Sequence, residues 1–545
     1  MFFFLPFGFA TANTHILGPL ATQDIEREQA QRLEQIEQNK QSVKELTPNI
    51  TLDRPIEEFP EQCFNVRELV FSGNTIYSDE ELAQAIHFQP TCLGLAEINE
   101  YLRVISNLYM QAGYVTSRAF LVPQDLSSGR LEIVILEGEL EQLLLNGEES
   151  SALKLAFPFM VGSILNLRDI EQGLDQINRL SRYNAQIKLL PGTEQGKSTV
   201  DIRTHEDLFM TLSTGINNGG QKSTGEEQLS LNLGLENVLR ILDKWTFSAT
   251  KSALIRDSKD SESLFMSVDV PIGYWNIGYR TSYSTYKTTF TSNSFQFDSS
   301  GKTNSHDADL KWLFHRDSVS KSSFKLGLHH RREKNFILGA LLESGSRNLS
   351  SSSLSLDHST RLGNGFFTLS PRFVAGTDWF GGKEDEDDAG AAPKAQFYKG
   401  TLTASYTYPF SNALSLSSTL FGQWSNQTLY GSERLSIGGE YSVRGFKGKS
   451  ISGDEGYYWR NDLNYQIAKW PVLGNISATL ALDTGTIAKD KVDAFEEGSL
   501  TGTSLSIKTR SENISSSLSV GFPIDAPERL NADDYVLYYR LDLAI

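Results

Sequence analysis

From residue 206 to residue 545 the chain alternates apolar and polar residues in short runs, with no helical pattern in between. In Gln228–Glu236, Leu229, Leu231, Leu233 and Leu235 share one face, while Ser230, Asn232 and Glu236 share the other. Thr401–Phe410 repeats the arrangement, with Leu402, Ala404, Tyr406, Tyr408 and Phe410 opposite Thr401, Thr403, Ser405 and Thr407. Ile476–Asp483 and Tyr535–Ile545 do the same. Successive strand side chains point to opposite faces, so a period of two marks strands with one oily and one wet side. A soluble sandwich also alternates. An uninterrupted 340 residues with aromatic strand ends and a Gly-rich acidic loop at Lys383–Asp388 favour a transmembrane barrel. The length allows about 16 strand-plus-loop units of about 21 residues each, with Gly301–Ser318 and Leu341–Gly363 the least defined. The acidic loop itself reads as a solvated surface segment rather than a calcium site.

Composition agrees with that fold. The 545 residues are 39% hydrophobic but include 43 Gly, 31 Phe and 20 Tyr, and no window is apolar enough for a membrane-spanning helix. A formal charge of −17 disfavours nucleic acid, whose phosphates need a basic footprint. Residues 1–12, MFFFLPFGFATA, carry an apolar segment and a small-residue end, as an export leader does, without the usual basic start. Export places the only two cysteines, Cys63 and Cys92, where disulfides persist, and a structural bridge between them is the favoured reading.

Ahead of the barrel the texture is mixed. Residues 22–46 are rich in Glu, Gln, Lys and Arg, with a thin apolar stripe of Ile25, Leu33, Ile36 and Val43. Such a helix is either free in water or lodged in a polar cavity. Residues 47–62, with three prolines, read as an extended linker. Residues 63–138 and 139–205 each follow the order strand, two helices, two strands. Two small tandem modules with three-stranded sheets would expose edges fit to receive an extended peptide strand.

No nucleophile elbow, phosphate loop or zinc-protease motif stands in the right context, so the chain offers no anchor for catalysis and implies no cofactor or metal. His329 and His330 are strand neighbours and cannot chelate together. The stretch GGEYSVRGFKG (Gly438–Gly448) lies in a connection of about thirty residues, long enough to ask for a function. If it folds into the lumen, Arg444 needs an anionic partner. Asp483, Asp462 and Asp542 all face inward by parity.

The sequence V-R-G-F (Val443, Arg444, Gly445, Phe446), the later D-T-G (Asp483 to Gly485) and the Cys63…Cys92 module with GYVTSRAFLVPQDLSSGRLEIVILEG (Gly113–Gly138) resemble the TpsB transporters of two-partner secretion, in the Omp85 superfamily. The resemblance covers nearly the whole chain. It implies α+β periplasmic domains followed by an all-β membrane domain: two POTRA domains and a 16-stranded outer-membrane barrel with an N-terminal plug helix. It also implies a function, the export of a large β-helical TpsA exoprotein (a haemolysin, adhesin or contact-dependent toxin) recognised by the POTRA domains. Within the family the loop arginine pairs with the aspartate of an F-x-D-x-G strand, which selects Arg444 and Asp483 here. Ala481 stands where that motif has Phe, and the chain ends on Ile545 where assembly signals end on an aromatic. Expected partners are the exoprotein's secretion domain, the lipid bilayer, and the barrel-assembly machinery and periplasmic chaperones during biogenesis. The expected state is a monomer in a Gram-negative outer membrane. The alternative from the same superfamily is a factor that inserts other barrels; a diffusive porin or a surface enzyme fits less well.

Overall fold

The structure is a computed structural model that describes residues 19–44, 46, 52, 63–150, 153–205, 208–253, 259–292, 295–385, 392–488 and 497–545. The expected leader lies outside these residues, as does the linker except for Leu52. That residue's backbone N–H donates to Asn107 Oδ1 at 2.7 Å.

In the first module the sequence suggests one strand over Phe64–Phe71, but the structure makes two. Cys63–Val66 pairs antiparallel with Thr91–Gly94, and Glu68–Ser72 pairs parallel with Arg130–Leu136. The break has a local cause: the amides of Arg67 and Glu68 both donate to the Gly129 carbonyl, at 2.7 and 3.2 Å, which turns the chain around that loop. Helix Asp79–Ala85 starts at a capping box formed by Ser78 and Glu81. Helix Leu95–Gln111 buries Ile98, Ile105 and Tyr109 against Leu131, Ile133 and Ile135, the inward set of the central strand. Arg118–Leu121 completes a three-stranded sheet.

The second module has four strands rather than three. Glu148–Glu149 folds back on Glu139–Leu145 through Asn146 and Gly147, at φ 54° and 87°. Two successive positive φ values define the type I′ hairpin turn that Asn-Gly favours. The helix Leu167–Asn178 packs Ile170 and Ile177 on a core with Leu140, Val200 and Ile202. The modules are stitched by backbone bonds from Leu165 to Gly138 and from Leu167 to Gly113, both 2.8 Å.

Among the described residues, sixteen long antiparallel strands close into a barrel, from Met210–Asn217 to Val536–Ala544. The seam runs from Ser213 opposite Ala544 to Asn217 opposite Arg540. A two-residue strand, Ala340–Leu341, extends one hairpin. Parity holds along the wall: Leu480 and Leu482 are more than half exposed on the outside, while Ala481 and Asp483 between them are buried. The two ill-defined strands are Phe295–Arg316 and Arg347–Leu362. The first has 22 residues, about twice what a bilayer crossing requires. Its first half is largely polar on both faces, with Lys302 exposed and Thr303 and Ser305 buried, so its hydropathy carries no alternation to read.

The second module docks under one end of the barrel. Arg316 in the wall reaches Glu171 at 3.4 Å, Gln172 at 3.2 Å and Asp175 at 2.5 Å, and Lys321 reaches Asp175 at 2.6 Å. Gln176 donates to the Gly273 carbonyl of a barrel turn at 2.9 Å. Counting strands from this end puts the loop after Leu414–Trp424 at the far end.

Candidate functional site in the barrel lumen

That loop, residues 425–455, turns back into the barrel. A short hairpin of Leu435–Ile437 with Ile451–Gly453 carries its tip. Val443 and Phe446 are buried there with Phe421, Tyr458, Ile487 and Leu500, so the tip is held by an apolar cluster inside a wet pore. Backbone meets wall at close range. A Cβ on Gly502 would lie 1.8 Å from the Arg444 carbonyl oxygen, and one on Gly445, at φ 102°, would lie 2.5 Å from that of Phe522. A Cβ on Gly485 would meet Val443 at 3.0 Å.

Arg444 is fully engaged. Its Nε donates to Asp483 Oδ2 at 2.6 Å, its Nη2 to Oδ1 at 2.7 Å, and its backbone N–H to Oδ2 at 3.1 Å. Its Nη1 donates to Asp462. One planar fork thus joins two carboxylates on neighbouring strands, a geometry a lysine cannot reproduce. Asp462 is therefore a second partner, while Asp542 lies elsewhere, beside Gly215 and Ser515. Lys447 pairs with Glu226 at 2.5 Å and sits over the Tyr538 ring, whose hydroxyl donates to the Phe446 carbonyl at 3.0 Å. The loop therefore also ties strands on both sides of the seam.

The helix Pro19–Lys44, 26 residues and about 39 Å long, runs through the lumen. Asp24 receives a bond from Arg331 at 2.6 Å, and Arg27 donates to Ser263 at 2.6 Å. Gln29 donates to the Ser436 carbonyl at 2.8 Å, which ties the helix to the inward loop. Arg32 donates to Tyr458 at 2.9 Å and lies 3.5 Å over the Phe421 ring. At the helix end, Arg361 donates to the carbonyls of Val43, Lys44 and Leu46 at 3.2, 3.0 and 2.8 Å. A cation there satisfies the free carbonyls and the negative end of the helix dipole. Of the thin stripe, Ile25 and Val43 are buried, and Leu33 and Ile36 half-buried. The helix is lodged, not free.

Cys63 and Cys92 form a disulfide between the paired strands of the first module. His329 bonds Asp307 at 2.8 Å, and His330 bonds Ser350 at 2.9 Å.

Sequence reasoning passed over Gly502 and the Arg316 cluster. The signal for the first was present, since a glycine inside a strand marks close backbone approach. For the second there was none, because its members come from three separate segments.

Residues 196–509 match the family model for the haemolysin secretion/activation protein ShlB/FhaC/HecB. Residues 64–138 match the ShlB-type POTRA domain and residues 139–191 a further POTRA domain. The chain is 38% identical to the outer membrane transporter CdiB of Dickeya dadantii (strain 3937), over 98% of this chain and 96% of that one. It is 28% identical to the hemolysin transporter protein ShlB of Serratia marcescens, over 74% and 72% of the two chains. The solved structure of CdiB from Escherichia coli superposes with a TM-score of 0.94 at 34% identity, covering 98% of this chain and all of that one.

Proposed function

The chain belongs to the ShlB/FhaC/HecB family of haemolysin secretion/activation proteins, and from that premise we propose how it works. It is an outer-membrane transporter of two-partner secretion, with its POTRA domains in the periplasm, and it secretes a TpsA partner protein. In our reading, residues 63–138 and 139–205 capture the cargo, residues 206–545 conduct it, and helix 22–46 closes the conduit until then. The cargo's secretion segment adds as a strand to a module edge. Arg118–Leu121 and Gln186–Pro191 are outer strands with Phe120, Leu121 and Leu189 exposed, which supports those edges as docking lines. Higher identity to the CdiB transporter of Dickeya dadantii than to ShlB favours a cargo of the kind that transporter carries. The protein acts as a monomer and without catalysis, and it reaches the membrane through periplasmic chaperones and the barrel-assembly machinery.

The observation that carries this reading is the character of the plug. Its contacts with wall and loop are mainly hydrogen bonds and ion pairs, which water replaces at low net cost. An apolar plug of the same length would resist withdrawal far more strongly. The test is co-expression with candidate cargoes, large β-helical exported proteins, in a Gram-negative host without such transporters. Cargo in the medium only when the transporter is present supports the reading; cargo retained in the periplasm despite correct insertion rejects it.

A further inference from the structure

One aromatic is out of keeping with its surroundings. Phe159 in the second module is 99% exposed and holds φ at 62°, a left-handed conformation that bulky residues avoid. Its neighbours explain how it is held. Phe157 is buried in the module core and Met160 packs against it, so the turn between them projects Phe159 and, with 57% exposure, Val161. Phe157 to Leu165 contains no charged residue. A strained, fully exposed phenylalanine on an uncharged tip has no role in the module's own packing.

Its position supplies one. Pro158 lies directly under the barrel turn at Gly273, where an added Cβ would meet the proline ring at 2.7 Å. The Gly273 amide donates to the Leu155 carbonyl at 2.7 Å. On either side of that turn, Ile272 and Trp275 face outward, 39% and 41% exposed, and Trp275 stacks on Trp312 with ring centroids 5.4 Å apart. Outward Trp pairs at strand ends mark the level where acyl chains give way to headgroups. The exposed tip is therefore continuous with the lipid-facing belt.

We propose that Phe159 and Val161 form a membrane-interface anchor, seated in the periplasmic leaflet beside the Trp275–Trp312 pair. Together with the Arg316 cluster, such an anchor fixes the second module under the barrel from two sides, one polar and one apolar. The inference goes beyond export and uses only the outer-membrane placement.

The experiment places a single label on the full-length protein. The chain's two cysteines are joined to each other, so Phe159→Cys can carry one NBD group. Ser127→Cys on the first module serves as a wet control and Leu482→Cys on the lipid-facing wall as a dry one. In vesicles of phosphatidylethanolamine and phosphatidylglycerol, the label at 159 should emit to the blue of that at 127. It should also lose most of its intensity when doxyl-labelled phospholipid is included, as the label at 482 does. A label at 159 as red and unquenched as that at 127 overturns the anchor while leaving the barrel reading intact. A blue shift that appears only on adding the cargo's secretion domain, without lipid quenching, assigns the tip to protein and also overturns it. An unquenched label at 482 removes the membrane placement and the anchor together.

Discussion

Arg444 and Asp483, separated by 39 positions, meet through a two-pronged ion pair reinforced by the arginine's own backbone amide. Asp483 is completely buried and Arg444 8% exposed, so the pair works away from bulk water. There a charge-assisted fork is strong, and a missing partner is correspondingly expensive.

Arg444→Ala leaves Asp483 and Asp462 without their shared cation, at a cost of about 3–5 kcal/mol to the docked loop. Secretion should collapse while the barrel still inserts and keeps its heat-modifiable migration in gels. Adding Asp483→Ala should cost little beyond either single change, because both remove the same interaction. Arg444→Lys should rescue poorly, since one ammonium cannot span two carboxylates. Additive losses in the double variant would show that the residues act separately.

Gly502→Ala should mimic part of that defect from the wall side. The new methyl would have to occupy space 1.8 Å from the Arg444 carbonyl oxygen, so the loop backbone must lift. Reduced secretion with normal barrel assembly is expected. Gly422→Ala, at a wall position where an added Cβ would meet nothing nearer than the Gly456 carbonyl oxygen and Tyr457 Cβ at 3.9 Å, should be tolerated.

Removing helix 19–44 should convert a nearly closed barrel into a conducting one in planar bilayers. Arg331→Ala and Arg361→Ala, which loosen opposite ends of the helix, should each raise the frequency of opening without changing the fully open conductance. A deletion variant as silent as the parent would show that the inward loop alone seals the pore.

The Cys63–Cys92 bridge closes a loop with a sequence separation of 29, for which chain entropy gives about 3–4 kcal/mol. Both cysteines are exposed, so mild reductant should reach them. Reduction, or Cys63→Ser with Cys92→Ser, should make the first module sensitive to protease while the barrel stays resistant. Unchanged protease resistance would mean that the module core suffices.

Glu137 provides a pH test in the same module. Burial pushes its carboxyl up, but bonds from the Thr75 hydroxyl, the Ile76 and Thr75 amides and the Tyr109 hydroxyl outweigh it and hold the group below its ordinary range. A depressed folded-state pKa adds stability above the unfolded value of about 4.5, lost as pH falls through the folded value. Resistance of the module to unfolding by urea should therefore fall on acidification below about pH 4.5. Glu137→Gln should flatten that dependence, and an equally steep loss in the variant would assign it to other carboxylates.

Much of this architecture is legible because it is periodic. Alternation placed Leu480 and Leu482 outside and Asp483 inside, since a wall between lipid and water leaves each strand one choice of face. The long strand Phe295–Arg316 was hard to delimit because it leaves the bilayer and loses that constraint. The extra hairpin at Asn146–Gly147 was written in its turn dipeptide and simply needed to be read.

The barrel, the two modules ahead of it, the polar helix and the set of inward carboxylates open to Arg444 can all be read from the order of residues along the chain. Local period and burial suffice for those, because each is decided by neighbours a few residues away. That Arg444 joins Asp462 as well as Asp483, that Gly502 makes room for it, and that Arg361 caps the lodged helix emerge from the folded chain alone. Those contacts bring together residues from distant strands, and which ones meet depends on the register of a closed sheet and the depth of a folded loop. Strand parity says which way a side chain faces, but not what it will find there.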